Sequence, residues 1–194
     1  MTTLQSSAPL VPQSLDASAR SAREVARYVV DGHMTLDAPY QRGSVWSVDQ
    51  RRNLVRSWML GLPVPAIIIN RRYREAFVHP PAGPRFEFAA VDGKQRLETA
   101  VAWFFGDLTV PASWFPAERV RGTVDTDDGP YVAFEGLDVV AQRHTVNRFL
   151  VPVAEASADT VADEAVIFGL VNGAGVPQTD ADLARAAQIA REGT

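Results

Sequence analysis

The sequence has 194 residues, 46% hydrophobic and 22% charged, proportions that fit one soluble globular domain and leave no room for two of full size. It contains no cysteine, which excludes a disulfide framework, thiolate metal ligation and a cysteine nucleophile; three dispersed histidines, His33, His79 and His144, offer little from which to build a zinc site. A net charge of −4 excludes a uniformly basic nucleic-acid binder, yet from Gln41 to Arg74 seven arginines (Arg42, Arg51, Arg52, Arg56, Arg71, Arg72 and Arg74) stand against the single acid Asp49.

Residues 1–18 are mostly Ser, Thr, Gln, Ala and Pro, too poor in large apolar groups to offset the entropy of ordering. They are expected to form a flexible N-terminal arm to a single domain over 19–194. In 19–30, Ala22, Val25, Ala26 and Val29 recur at helical spacing with arginines and Glu24 opposite, and Gly32 ends this short helix. Pro39 and Gly43 then frame an extended or loop segment carrying Tyr40, Gln41 and Arg42.

Ser47 followed three residues later by Gln50 is a capping-box pattern, so a helix begins there. Leu54, Val55, Trp58 and Met59 form its apolar face, Arg51, Arg52 and Arg56 its outer face, and Gly61 with Pro63 stops it. The β-branched run at 65–70 reads as a buried strand, 79–84 as a loop, and 85–91 as a second strand running into Asp92-Gly93. From Lys94 the apolar period changes to that of a helix, through Leu97, Ala100, Val101 and Phe104, ending at Gly106. Short strands are expected over 108–115 and 131–134 around the acidic turn at 125–129. Helices follow at 160–171 and after Thr179. The longest aliphatic stretch, 64–69, falls far short of the roughly 20 residues that cross a bilayer, and no basic-then-apolar signal opens the chain, so a cytoplasmic location is expected.

Chemistry concentrates at the strand–Asp92-Gly93–helix junction. A helix that opens straight after a buried strand presents unpaired N–H groups and the positive end of its dipole, a ready anion site. Gly93 permits close backbone approach, Lys94 and Arg96 add charge-assisted donors, and Gln95 can contact a ligand or water. Lys94 is the only lysine in the chain. Of the four tryptophans, Trp58 and Trp103 fall on or near apolar helix faces and read as core, whereas Trp46 sits beside the candidate ligand loop.

The segment Val91-Asp92-Gly93-Lys94-Gln95-Arg96-Leu97 resembles the DGQQR box of a family that includes the N-terminal domain of GmrSD-type modification-dependent restriction enzymes and of SspE-type phosphorothioate-sensing defence proteins. Upstream, Pro39-Tyr40-Gln41-Arg42, with Trp46 after it, resembles the family's P-x-Y-Q-R-x-x-x-W segment. Downstream, Phe168-Gly169-Leu170-Val171-Asn172-Gly173-Ala174-Gly175 resembles its F-x-x-x-N-x-G-G element. The three matches stand in order from residue 39 to about residue 187.

The resemblance implies a ParB/sulfiredoxin-like fold, a small mixed α/β sheet flanked by helices. It also implies nucleoside-triphosphate binding, with hydrolysis in characterised members coupled to action on DNA. Carried onto this sequence, Tyr40, Gln41, Arg42, Gly93, Lys94, Arg96 and Asn172 would hold the nucleotide and its phosphates. Asp92 and Gln95 would serve catalysis, and Asp92 would be the nearest ligand for a phosphate-bridging Mg²⁺. Two departures bear on this. Lys94 replaces the first glutamine of the box, which adds a point charge for phosphate but removes an amide that could orient water, and Ala174 replaces a glycine of the third element. Restriction members carry an additional HNH-type nuclease domain; the histidines here make no such arrangement, so autonomous DNA cleavage is not expected, and turnover of the nucleotide stays open. The alternative is a non-catalytic DNA-binding or adaptor module that uses Arg51, Arg52, Arg56, Arg71, Arg72 and Arg74 to grip phosphates, or a partner of a larger restriction or defence protein.

Overall fold

A computed structural model describes residues 16–41, 43, 45–74, 77 and 84–173. Among them, five strands form a mixed sheet in the order β1 (Asp16–Ser21), β8 (Leu150–Ala156), β3 (Ile67–Arg71), β4 (Phe88–Asp92) and β2 (Met34–Thr35). Pairing is antiparallel for β1–β8 and β3–β4 and parallel for β8–β3 and β4–β2. A second sheet joins β5 (Val110–Pro111), β7 (Gly129–Val132) and β6 (Val124–Thr126). The α-helices whose bounds fall among the described residues are α1 (Ala22–Val30), α2 (Val48–Met59), α3 (Lys94–Phe104), α4 (Val139–Arg148) and α5 (Val161–Gly173). This is the mixed α/β class expected from the sequence, as a small single domain.

Helix α2 forms as its sequence dictates. The Ser47 side chain accepts from the Gln50 N–H while the Gln50 side chain accepts from the Ser47 N–H, so two orphan donors are satisfied reciprocally. At the other end Gly61 takes φ +68°, and the N–H groups of Gly61 and Leu62 donate to the carbonyls of Trp58 and Ser57, a Schellman stop. Leu54, Val55 and Trp58 are buried.

The core lies between helices α1 to α4 and one face of the five-stranded sheet. Ile67 and Ile69 of β3 and Val151 and Val153 of β8 point into it. Aromatic rings knit it together: Trp58 stacks on Phe149 at 5.5 Å, and Phe104 meets Phe134 edge-on at 5.1 Å. On the other face of β3, the fully buried Asn70 meets α5. The two-residue β2 covers only the start of β4, so the outer edge beside Ala90 and Val91 is left to a side chain, described below.

Several expectations change. Residues 16–18 belong to β1 rather than to the flexible arm, and 19–21 are strand rather than helix; this polar segment is held by its ladder with β8, not by an apolar pattern of its own. Residues 1–15 lie outside the described part. Of the strand expected over 108–115 only Val110–Pro111 forms, because Pro111 cannot donate to a ladder and a 3₁₀ turn, Ala112–Trp114, follows at once. The strand expected at 131–134 begins earlier, at Gly129, and gives way to a 3₁₀ turn at Phe134–Gly136. Helix α4 and strand β8 carry no sequence expectation, although β8 lies inside the sheet. The helix expected after Thr179 and most of the loop expected at 79–84 lie outside the described residues.

Candidate functional site

Strand β4 hands over to α3 through Gly93, which is buried and takes φ +97°. A Cβ at this position would lie 2.3 Å from Ile67 Cγ2, so the turn needs both the backbone freedom and the missing side chain of glycine. The first turn of α3 has no side-chain cap and no acidic residue; it carries Lys94 and Arg96 instead, against the usual preference for negative charge at a helix start. A helix start without a side-chain cap, the positive end of its dipole and two cations thus coincide at one point.

That turn forms one wall of a cavity of about 500 Å³ lined by Tyr40, Gln41, Val45, Trp46, Asp92, Gly93, Lys94, Gln95, Arg96, Phe168 and Asn172. The volume suits a small-molecule ligand. Three sequence segments distant from one another, the Tyr40-Gln41 loop, the Asp92-to-Arg96 turn and the Phe168/Asn172 face of α5, therefore meet where the sequence motifs place them. Arg42 lies outside the described residues. Trp46 is half-buried at the rim.

The polar side chains of the lining are held by specific contacts, although Gln41 Oε1 and Arg96 Nε are buried without a hydrogen-bond partner. Gln41 Nε2 donates to the carbonyls of both Ala90 (2.7 Å) and Val91 (3.0 Å). Consecutive carbonyls of a regular strand point to opposite sides, so one amide reaches both only because the β3–β4 register slips between Ile68 and Ile69. Gln41 thus completes the edge that β2 leaves open. Gln95 Oε1 accepts from the N–H groups of Val45 and Trp46, each at 3.1 Å, pinning the loop that carries Trp46 to α3. Lys94 Nζ pairs with the exposed carboxylate of Asp37 at 2.8 Å. Arg96 Nη2 bonds Asp92 Oδ2 at 2.6 Å and the Ala66 carbonyl at 3.0 Å, so this arginine also ties the start of α3 to the entrance of β3. Asn172 Nδ2 donates to the Phe168 carbonyl one turn earlier, at 3.0 Å.

A family model described as the GmrSD restriction endonuclease N-terminal domain matches residues 27–188. The chain belongs to this family. No curated protein and no solved structure matches it. Membership gives the domain a setting in restriction and defence, and the span covers all three motifs.

In this GmrSD N-terminal-type domain the arginines of the basic stretch do not form one free surface. Arg51 pairs with Glu98 at 3.2 Å and Arg52 with Asp49 at 3.1 Å, the latter also lying over the Tyr131 ring; Arg56 lies over Trp114. At the end of β3 Arg71 pairs with Glu155, Arg72 with Glu164 and Arg74 with Asp159. None of these six lines the cavity. Among the described residues no helix is long and apolar enough to cross a membrane.

Sequence reasoning missed the group that stands behind the cavity. Glu164 of α5 is fully buried and accepts hydrogen bonds from Asn70, Arg72 and Tyr40. Burial, and then the negative charge of Glu164, push the Tyr40 phenol far above its ordinary value of 10.0, so it stays a donor at all working pH values. No local pattern marks Glu164, because acidic residues on a helix are ordinarily exposed.

Proposed function

We propose that this domain binds a nucleoside triphosphate, with its phosphates at the first turn of α3 and its base toward Trp46 and Phe168, and that this binding serves a restriction or defence system. The observation that carries the reading is the convergence, in one ligand-sized cavity, of an uncapped helix N-terminus bearing Lys94 and Arg96 with aromatic walls from two other segments. Lys94 supplies the point charge for phosphate in exchange for its pairing with exposed Asp37. Gln41 and Gln95 contribute by fixing the walls, since their amides are engaged with backbone.

Mg²⁺ fits the site in one form. Asp92 is the single carboxylate among the described lining residues, and no three acidic or histidine side chains converge among the described residues. An ion that keeps most of its waters and binds through phosphate oxygens and one carboxylate meets that donor set. Bound there, Mg²⁺ would neutralise phosphate charge. Asp92, oriented by Arg96, is the group that would position a water for hydrolysis.

Thermal unfolding with ATP, GTP, CTP and UTP, with and without Mg²⁺, tests the reading. A ligand at a hundredfold excess over its Kd should raise the midpoint by about 5–11 °C for a domain of this size. Absence of a shift with all four, together with DNA binding that weakens steeply with salt, would replace this reading with that of a DNA-binding module.

A further inference from the structure

We propose that Glu164 is a positioning residue for the nucleotide cavity: its buried carboxylate holds the Tyr40-Gln41 loop and helix α5 against the end of β3, and so sets the spacing of two cavity walls without touching the ligand. The inference rests on the nucleotide reading above and adds a residue that lies outside the cavity lining.

The geometry is specific. Glu164 Oε1 accepts from Asn70 Nδ2 at 2.8 Å and Arg72 Nε at 2.9 Å, and Oε2 accepts from Arg72 Nη2 at 2.7 Å and the Tyr40 hydroxyl at 3.1 Å. The two-pronged arginine contact fixes the plane of the carboxylate, and that plane directs Oε2 to Tyr40. Asn70 is itself held, exchanging hydrogen bonds with the backbone of Ala158 just before α5. The anchor on β3 is therefore rigid on both sides.

From this anchor the constraint reaches both walls. Phe168 and Asn172 follow Glu164 at spacings of four, on the same face of α5, and both line the cavity. The Phe168 ring lies 5.4 Å from that of Tyr40, so the loop and the helix also meet beyond the carboxylate. Gln41, the next residue, is fixed to β4 by its amide. Shape-matched apolar residues would fill the same space without the cost of desolvating two charges. The ion pair differs from them in offering a directed acceptor to Tyr40.

The test uses Glu164→Gln, Tyr40→Phe and the double variant, with Asp138→Ala as a control that removes the cap of α4 far from the cavity. Affinity for Mg²⁺ with each of ATP, GTP, CTP and UTP is measured by calorimetry, and hydrogen exchange is followed in 36–41 and 161–173 without nucleotide. Glu164→Gln should weaken binding about tenfold or more, Tyr40→Phe by a smaller factor, and the double variant no more than Glu164→Gln alone. Exchange should rise in both segments in Glu164→Gln. Asp138→Ala should lower the unfolding midpoint and leave affinity and both segments unchanged. Unchanged affinity in a folded Glu164→Gln, additive losses in the double variant, or faster exchange confined to α5 would overturn the proposal. If Glu164→Gln does not fold, Tyr40→Phe decides: unchanged affinity and unchanged exchange in 161–173 overturn it. If no nucleotide binds the wild type, the nucleotide reading fails, and the exchange result alone decides whether Glu164 holds the two segments.

Discussion

Replacing Gly93 by alanine probes the turn on which the site is built. Two costs can be read from the structure. The backbone at φ +97° is one that a residue with a Cβ adopts only at a penalty of about 1–2 kcal/mol. The new methyl would also stand 2.3 Å from Ile67 Cγ2 and 2.9 Å from Ile67 Cβ, atoms of a fully buried residue in the middle of the sheet, and overpacking of this kind costs about 1–3 kcal/mol. Together they predict a loss of about 2–5 kcal/mol, measured as a fall in the urea midpoint at unchanged slope. The Ile67→Ala background removes the closest contact but not the φ penalty. There the effect of Gly93→Ala should shrink by the part of the overpacking due to Cγ2, while the φ penalty and the 2.9 Å approach to the Cβ of residue 67 remain. A Gly93→Ala protein within 0.5 kcal/mol of wild type, or an effect equal in the two backgrounds, would refute the claim that this turn is shaped by close approach to β3.

The remaining predictions concern the charges. Arg72→Ala strips the partner from a carboxylate with no solvent exposure and should cost about 3–5 kcal/mol, whereas Arg74→Ala, at a pair exposed on both sides, should cost under about 1 kcal/mol; equal effects would contradict the burial assigned to Glu164. For Glu155, burial opposes ionisation, but hydrogen bonds from Arg71 and Arg20 outweigh it and hold its carboxyl below the ordinary 4.5. Its contribution to stability is then complete above about 4.5 and is lost as pH falls through the lower folded value, so the gap between wild type and Glu155→Gln should narrow on acidification below that point. A gap that stays constant down to pH 2 would show that the carboxylate is not held this way.

What was legible in the sequence was what is decided locally. The capping box of Ser47 and Gln50 and the glycine stop at Gly61 set α2 by contacts within a few residues, and both appear as read. The Asp92-Gly93 junction was legible for the same reason, and the two flanking motifs pointed to segments that do converge on it. Strands β1 and β8 were not legible. The segment that becomes β1 is polar and depends on its neighbour, and β8 carries Pro152, a residue that argues against an interior strand. Pro152 is tolerated because the ladder to β3 begins only at Val153. The arginine stretch read as a basic stripe because spacing along the chain cannot reveal carboxylates brought in from elsewhere: Glu98, Glu155, Asp159 and Glu164 all come from distant segments.

The most direct measurement is a calorimetric titration of wild type and Lys94→Ala with Mg²⁺ and each of the four nucleoside triphosphates. Asp37, the partner that Lys94 leaves behind, is exposed, so the variant should fold normally. The account predicts saturable binding of at least one triphosphate to wild type and a loss of about tenfold or more in Lys94→Ala, equivalent to about 1.4 kcal/mol. No binding of any triphosphate, or the same Kd with and without the Lys94 side chain, would contradict a phosphate site at the first turn of α3.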